Sequence, residues 1–570
     1  MPIFRITQNS FTSGQSSTND IVGQALEGRS NLEVYQSALR TCSNFIPLPM
    51  GPLFKRPGLK LVGESAGAVK IAPFVFNESQ VYLFVFRNGA LDVYRNDVAV
   101  ATNIVVPWTS SQLATMKFTQ SKDLWIGFHD DVPMTSIKRG GNDATWTVSS
   151  VAITNAPTFD FGSGAEAAWS NTRGYPKVGT FHQNRLVIGG SKSLPETVWG
   201  SRSGILFHFT TTPVADDMSW SFVLGSTAVH TIQDCYSIRQ ELIINTSVGE
   251  WTESSAPITP SNVLFRLNTR HGMINTGIRS LGVDSANVFV DRRARLRSFG
   301  YDFNTDSFIA KNLSVLAPGL LKSPTDAAYV RGFASQANLC FFRNADGTCS
   351  LITIDFEQRV QGWATLAMAE GTINSICSLD DTLYALVTYN SKTWLAKLTT
   401  DVWCDLWSHD TSVTPKETWT GFTAHASKMA SVIGDGLVFR DVAIDANGDF
   451  TLPSEVSEVY VGVAYTALAE CLPISPVVNG QLQRGNSIRL VKGDFTLRNT
   501  QDFWVNGTRI ALRSMPNDIF DAPPETYDTM KRVWLGGGWS PEPILSIESR
   551  DPLPCTVLGF TVEAKTSPSQ

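Results

Sequence analysis

Short apolar segments separated by turn residues follow one another through most of the chain. The segments at 71–76 and 81–86 are apolar and predict strands, and Asn88-Gly89 joins the second of them to an alternating segment at 90–95. Asn-Gly between two such segments is the strongest short-range signal for a β-hairpin. Asp346-Gly347 gives a second turn of this kind. The pattern predicts a succession of hairpins from about residue 68 to residue 400.

We interpret these hairpins as the blades of a β-propeller. Many short strands in succession, often ending in an aromatic residue, indicate radial repetition, although no unit of fixed length can be aligned. The predicted fold class is mainly β: an irregular β-propeller with additional small antiparallel β domains and a short N-terminal helical or loop element. A large β-sandwich assembly is the competing interpretation, and the number of blades stays open. The only helix predicted inside this region lies around Ser110–Met116.

Changes in pattern divide the chain into four predicted parts. Residues 1–67 form an arm, a capped helix and a proline-rich loop, and residues 68–400 form the propeller-like domain. Residues 401–475 form a small antiparallel β domain, because apolar and polar positions alternate there between turn residues. Residues 476–570 form a C-terminal β domain that packs back on the N-terminal platform.

The N-terminal helix is predicted from two signals. Ser30 and Glu33 have the spacing of a capping box. The apolar residues that follow share one face of a helix, at spacings of three and four; they are Leu32, Tyr35, Leu39 and Cys42. Pro47 and Pro49 end the helix, since proline and the residue before it disfavour helical backbone.

Composition narrows the possible functions. The 570 residues carry a formal net charge of −6 and only 17% charged residues, so the chain has no broad basic surface to hold nucleic acid by its phosphates. No apolar run is long enough for a membrane span, and the first fifteen residues lack the apolar region of a secretory signal. The eight cysteines are scattered without C-x-x-C, so neither a disulfide framework nor a zinc site is expected.

Residues that carry chemistry form no recognisable catalytic or metal motif. The seven histidines give no H-x-x-x-H, H-E-x-x-H or H-x-H spacing, and we interpret His182 and His208 as structural. Adjacent carboxylates at Asp130-Asp131, Asp216-Asp217 and Asp380-Asp381 are typical of solvated turns. No phosphate-binding glycine motif is present. The sequence therefore predicts a protein that is not an enzyme and has no cofactor and no metal site.

A series of motifs extends along nearly the whole chain and begins with an N-terminal block from Gly28 to Gly58. This block resembles the N-terminal signature of podophage tail nozzle proteins, the tail tubular protein B family, with Asn31 and Pro52 departing from the family pattern. Further similar stretches follow in the same order at 175–190, 195–204, 249–266, 299–320, 459–473 and 537–560. Within the N-terminal block we select as candidate assembly residues Arg29, Tyr35, Arg40, Asn44, Phe45, Pro49, Arg56, Pro57 and Gly58.

This resemblance implies a structural role in a virion tail, after synthesis in the host cytoplasm. Family members form a homohexameric nozzle below a tail adaptor ring, dock tail fibres or tailspikes, and provide a central channel through which double-stranded DNA passes on ejection. Two other functions stay open: a glycan-binding or glycan-cleaving propeller, and a propeller scaffold for protein partners in a cell. Oligomeric state and enzymatic activity would distinguish the three.

Overall fold

In the residues that the structure describes, seven four-stranded antiparallel blades form a closed β-propeller, preceded and followed by strands of a second β region. A computed structural model describes residues 3–16, 26, 32–213, 215–334, 337–474, 477–478, 481–482, 486–512, 523 and 525–567. The blades consist of the following strands. Blade 1 has Ala68–Asn77, Gln80–Arg87, Ala90–Arg95 and Val98–Val105; blade 2 has Lys117–Ser121, Leu124–His129, Val132–Arg139 and Trp146–Ser150; blade 3 has Val178–His182, Arg185–Gly189, Thr197–Gly200 and Trp220–Val223; blade 4 has Ile232–Ile238, Glu241–Thr246, Glu250–Glu253 and Arg266–Thr269; blade 5 has Leu281–Val283, Ala286–Val290, Leu296–Asp302 and Ser307–Asn312; blade 6 has Pro324–Phe333, Ala337–Asn344, Cys349–Asp355 and Val360–Leu366; blade 7 has Thr372–Leu379, Thr382–Tyr389, Lys392–Leu398 and Leu59–Glu64.

The last blade closes the ring with a strand from before blade 1. Leu59–Glu64 pairs antiparallel with Lys392–Leu398, so the fourth strand of blade 7 precedes the first strand of blade 1 in the chain. The first strands of blades 2, 3 and 4 contact one another in turn, and so do the first strands of blades 5, 6, 7 and 1. This arrangement confirms the predicted mainly β, propeller-based fold class.

Local sequence explains the hairpins. Asn88-Gly89 turns the chain between Arg87 and Ala90, which pair directly, and Gly89 has φ +68°, a value that glycine adopts without strain. Asp346-Gly347 lies in a longer turn of blade 6, between the paired residues Arg343 and Cys349, and Gly347 has φ +83°. Trp199 of blade 3, Trp251 of blade 4 and Trp363 of blade 6 are buried. The predicted internal helix is also present, as Ser110–Thr115 with a capping box at Thr109.

The remaining strands form a second region, here called the platform. They are Ile3–Gln8, Gly14–Gln15, Ala38–Ser43, Phe45–Pro47, Leu53–Lys55, Asp405–Trp419, Met429–Gly434, Leu437–Ala443, Phe450–Val463, Ala467–Cys471, Val477–Val478, Gln481–Leu482, Ile488–Arg498, Trp504–Val505, Thr508–Arg509, Met530–Trp534, Ser546–Ser549 and Thr556–Thr566. A hairpin of Thr158–Asp160 and Ala165–Ala167 lies between blades 2 and 3, and two 3₁₀ helices span Glu33–Gln36 and Thr423–His425. Within the described ranges, no helix is long and apolar enough to cross a membrane.

Two propeller sheets continue into the platform. The outer strand of blade 6, Val360–Leu366, pairs in parallel with Gly14–Gln15 and Ala38–Ser43, and the latter pairs with Ala467–Cys471. In blade 7, Lys60 of the closing strand pairs with Trp407 of the long platform strand Asp405–Trp419. Because backbone hydrogen bonds cross both borders, the propeller and the platform share their sheets.

The predicted N-terminal helix is wrong beyond its first turn. Only Glu33–Gln36 is helical, as a 3₁₀ turn, and Ala38–Ser43 is a strand. Leu39 and Cys42, which we place on a helix face, are buried in that strand and pair with Cys471 and Ala469. Pairing on both sides of the strand outweighs the local helical spacing. Ser30 of the predicted capping box lies outside the described residues.

Candidate functional site

The candidate assembly residues gather where the propeller meets the platform. Asn44, Phe45, Pro49, Arg56, Pro57 and Gly58 are all buried, whereas Tyr35 and Arg40 are partly exposed and Arg29 lies outside the described residues. The Tyr35 hydroxyl donates to the Pro473 carbonyl at 2.6 Å. A role of these residues in contacts between chains stays a prediction, and within the chain they form a buried joint.

Arg56 is the centre of this joint. Its Nη1 and Nη2 donate to the two carboxylate oxygens of Asp405 at 2.7 and 2.6 Å, and its Nε donates to Asn44 Oδ1 at 2.8 Å. The guanidinium lies 3.8 Å from the ring centroid of Tyr465. Burial disfavours the charge on Arg56, but Asp405 opposes this effect, and the pKa of the guanidinium is raised.

Asn44 and Gly58 fit this joint for steric reasons. Asn44 has φ +57°, a left-handed conformation that asparagine tolerates, and its Nδ2 donates to Thr466 O at 2.8 Å. A Cβ at Gly58 would lie 1.7 Å from the carbonyl oxygen of Cys404. Backbone approach this close excludes any residue larger than glycine. The sequence motif therefore encodes a tight contact between distant segments of the chain.

A charged belt crosses the channel of the propeller. We define the belt as one residue from each blade or from the segment entering it: Lys70, Lys117, Lys177, Asp234, Arg279, Asp326 and Ser375. Some of its bonds join blades that are not neighbours. Lys70 Nζ lies 2.7 Å from Asp326 Oδ1, from blade 1 to blade 6, and Lys117 in blade 2 donates to the Gln233 carbonyl in blade 4. Arg279, in the segment entering blade 5, donates to the Phe118 carbonyl in blade 2, so side chains occupy the channel at this level.

Two charged residues of the belt, Lys117 and Asp234, are shielded from solvent. Burial lowers the pKa of Lys117 to about 8, although the nearby charge of Asp234 raises it. Asp234 is fully buried and accepts hydrogen bonds from the backbone N–H and hydroxyl of Ser280 at 2.7 and 2.8 Å. Buried charges are stable only when paired and hydrogen-bonded, as these are.

Beyond the belt the channel opens towards one face of the propeller. A cavity of about 790 Å³ lies there, lined by inner strands of six blades. We call this side the inner-turn face, because the turns between the first and second strands of the blades lie on it. Carboxylates at these turns rim the mouth, at Glu78, Asp380 and Asp381, and Arg331 pairs with Asp381 at 3.1 Å.

A second recess of about 820 Å³ opens on the same face. Its walls come from blades 4 and 5 and from the outer turn of blade 6 at Phe356-Glu357. Asp284, in the inner turn of blade 5, lines this recess and also acts on Tyr329 in the channel mouth. Burial, with a further contribution from Asp284, raises the pKa of Tyr329 to about 12. The two recesses therefore adjoin at blade 5.

Two other groups of polar side chains are held by partners within the chain. Ligand atoms of His129, Asp130 and Asp131 lie within 4.8 Å of one another, and Lys192 pairs with Asp131. His182, which we interpret as structural, makes a 2.8 Å hydrogen bond between its Nδ1 and Ser237 Oγ. Burial lowers the pKa of His182 to about 4, so its imidazole is neutral at pH 7.

Comparison with known proteins found similarity to solved structures only. No protein-family model matches the chain, and no curated protein matches it. The chain is similar to U3-55K at 9% identity and a TM-score of 0.36, over 60% of this chain and 100% of that one. It is also similar to the WD40 β-propeller domain of Doa1 at 10% identity and a TM-score of 0.33, over 60% and 96%. A third likeness is to the β-propeller domain of Cps50 (Swd1) from Myceliophteria thermophila, at 9% identity and 0.37, over 60% and 100%.

These findings correct the function expected from the sequence motifs. The structures named above are β-propeller proteins and none of them is a phage tail protein, so the tail nozzle prediction is contradicted, together with the virion and DNA-ejection terms. The resemblance itself, the expected homohexamer, the adaptor and fibre partners and the virion location stay predictions. The strand order of the structure shows the fold: the chain contains a β-propeller.

Proposed function

We propose that this protein is a non-catalytic interaction scaffold that binds a macromolecular partner on the inner-turn face of its propeller. The proposal rests on a channel that side chains fill at one level and that opens on one face. The charged belt occupies the channel at one level, and both large recesses, of about 790 and 820 Å³, open on the inner-turn face. Propellers leave function to the loops and turns at their faces, since the blades themselves are packed cores.

The joint with the platform supports a scaffold. Sheets of blades 6 and 7 run on into platform strands, and the buried Arg56–Asp405 pair ties the two regions at their border. A face held on such a framework changes little on binding, which lowers the entropic cost of association.

The polar groups of the chain favour binding over catalysis. Hydroxyl groups lie beside His182, at Ser237, and beside His129, at Thr115. His129 Nδ1 accepts from the Asp131 N–H at 3.0 Å, so Nε2 of this neutral ring carries the proton and cannot take one from Thr115. Within the described residues the His182 Nε2 atom has no hydrogen-bond partner. A serine is activated when a third group orients the histidine and stabilises its protonated form. A neutral histidine with no such group accepts or donates one structural hydrogen bond.

The experiment is partner capture with a defined outcome. The tagged full-length chain is used as bait in an extract of the cells that naturally make it, and stoichiometric partners are identified by mass spectrometry. The complex is then rebuilt from purified components and its mass measured by analytical ultracentrifugation. We expect a complex that is lost when Asp380→Asn and Asp381→Asn remove two carboxylates from the channel mouth. Both residues have positive φ, +50° and +53°, which asparagine tolerates.

A variant in the platform serves as the control. Asp441→Asn changes an exposed platform aspartate with φ +53° and should leave the complex intact. A complex that depends on the platform and ignores the channel mouth would place the binding surface elsewhere. A chain that forms no stoichiometric complex and instead turns over a substrate would overturn the scaffold function.

A further inference from the structure

The recess between blades 4, 5 and 6 has the composition of a docking site, and we call it the blade 5 cleft. Its volume of about 820 Å³ lies within the range of roughly 300–1,000 Å³ that ligand-binding clefts occupy. The residues that line it on blade 5 belong to its inner turn and to its two outer strands, Leu296–Asp302 and Ser307–Asn312. The inference rests on the proposed scaffold function and names the partner chemistry of one of its surfaces.

The floor of the cleft is apolar and aromatic. Phe299 is fully buried and stacks on Phe308, with ring centroids 5.5 Å apart, and Phe356 enters from blade 6. Tyr301 stands over this floor with 55% of its surface exposed and its ring edge-on to Phe308 at 5.6 Å. An exposed aromatic residue beside a packed apolar floor is the type of residue that dominates binding energy in interfaces.

The rim of the cleft is acidic. Its lining includes the carboxylates of Glu241, Asp284, Asp302 and Glu357 and the cations of Arg239 and Lys311. Lys311 pairs with Asp302 at 3.0 Å, which leaves three carboxylates facing one arginine. The adjoining channel mouth adds Glu78, Asp380 and Asp381, of which Asp381 pairs with Arg331. The inner-turn face therefore carries an excess of negative charge around two recesses.

We propose that the blade 5 cleft binds a cationic polypeptide segment that carries an apolar or aromatic side chain between its Lys or Arg residues. The apolar side chain packs on Phe299, Phe308 and Tyr301, and the cations face the carboxylates of the rim. Complementary charge accelerates encounter and selects the partner, and a cation over the Tyr301 ring gains further attraction. Nucleic acids and anionic lipids are repelled by the same carboxylates.

The test is direct binding of defined peptides to the full-length chain. One fluorescein-labelled peptide alternates Arg with Leu and contains two Trp, and its counterpart has Glu in place of every Arg. We expect the cationic peptide to bind, with affinity that falls as salt rises, and the acidic peptide not to bind. Fluorescence anisotropy measures both, at several salt concentrations.

Two pairs of variants localise the binding. Asp284→Asn with Glu357→Gln removes two rim charges and keeps the side-chain shapes, and we expect about a tenfold loss of affinity. The matched control is Asp441→Asn with Glu417→Gln, which removes two exposed charges from the platform. Asp441 matches Asp284 because both have a positive φ, +53° and +51°. Tyr301→Ala should weaken binding, whereas Phe303→Ala, an aromatic residue 88% exposed in the turn of the same hairpin and outside the cleft, should not.

The outcomes separate this inference from the scaffold function. Loss of peptide binding in the cleft variants, with retention in both controls, supports the inference. Equal binding of the acidic peptide, no binding of the cationic peptide, or equal loss in cleft and control variants would overturn it. If peptide binding fails while the captured partner still depends on Asp380 and Asp381, the scaffold function stands and the blade 5 cleft is not its partner site.

Discussion

The buried Arg56–Asp405 pair gives the sharpest prediction about stability. All five N–H groups of Arg56 have acceptors: Asp405 takes two, and Asn44, Pro57 and Ala367 take one each. Arg56→Met removes these donors and leaves the Asp405 carboxylate, which is 0% exposed, with the Leu59 N–H at 3.3 Å. Breaking one side of a buried pair costs about 3–5 kcal/mol, so we expect the free energy of unfolding to fall by that amount.

Equilibrium unfolding in urea, followed by tryptophan fluorescence, measures this loss. The decisive control is the double variant Arg56→Met with Asp405→Leu, which removes both charges and leaves no unpaired carboxylate. We expect the double variant to be more stable than Arg56→Met alone, because an apolar pair of similar volume can replace a buried ion pair at little cost. An Arg56→Met chain within about 1 kcal/mol of the unsubstituted protein, or a double variant whose loss equals the sum of the two single losses, would refute the reasoning.

Three further predictions concern the joint, acid stability and ring closure. Gly58→Ala should cost more than about 3 kcal/mol, because its Cβ would meet the Cys404 carbonyl, whereas Gly63→Ala, with nothing near its Cβ, should change thermal unfolding little. Burial lowers the pKa of His425 to about 4 from 6.5, so the unfolded state binds a proton at this residue before the folded state does. The His425 contribution should therefore lower the free energy of unfolding by about 3 kcal/mol as pH drops from 6.5 to 4. Urea titrations at each pH should show that His425→Gln loses this contribution, whereas the exposed control His409→Gln keeps it. A chain that starts at residue 68 lacks the fourth strand of blade 7 and should lose its near-UV circular dichroism, which a signal equal to that of the full chain would contradict.

Local signals in the sequence predict the hairpins but not how the ring closes. Asn88-Gly89 and Asp346-Gly347 identify their turns because turn geometry depends on residues that are close together in the sequence. The fourth strand of blade 7 comes from Leu59–Glu64, next to a proline-rich loop, and nothing in that segment indicates its partner more than three hundred residues away. The number of blades therefore follows from the structure and could not be counted from the sequence.

The N-terminal motif shows the same limit at the level of single residues. Its conspicuous Asn44, Arg56 and Gly58 could be selected from the sequence, but their partners Asp405, Cys404 and Tyr465 lie far along the chain. The spacing of apolar residues favoured a helix over Ala38–Ser43, and this prediction was wrong because pairing with neighbouring strands makes the segment a strand. The blade 5 cleft went unpredicted, since Tyr301 and Glu357 become neighbours only when blades 5 and 6 pack together.

Ring closure by Leu59–Glu64 also sets the order in which the protein can mature during synthesis. The ribosome releases this strand early, but its partner Lys392–Leu398 follows tens of seconds later at ordinary elongation rates. Until Lys392–Leu398 has been synthesised, Leu59–Glu64 has no partner strand in blade 7. During this period the nascent chain exposes an unpaired strand, to which chaperones or other copies of the chain can bind.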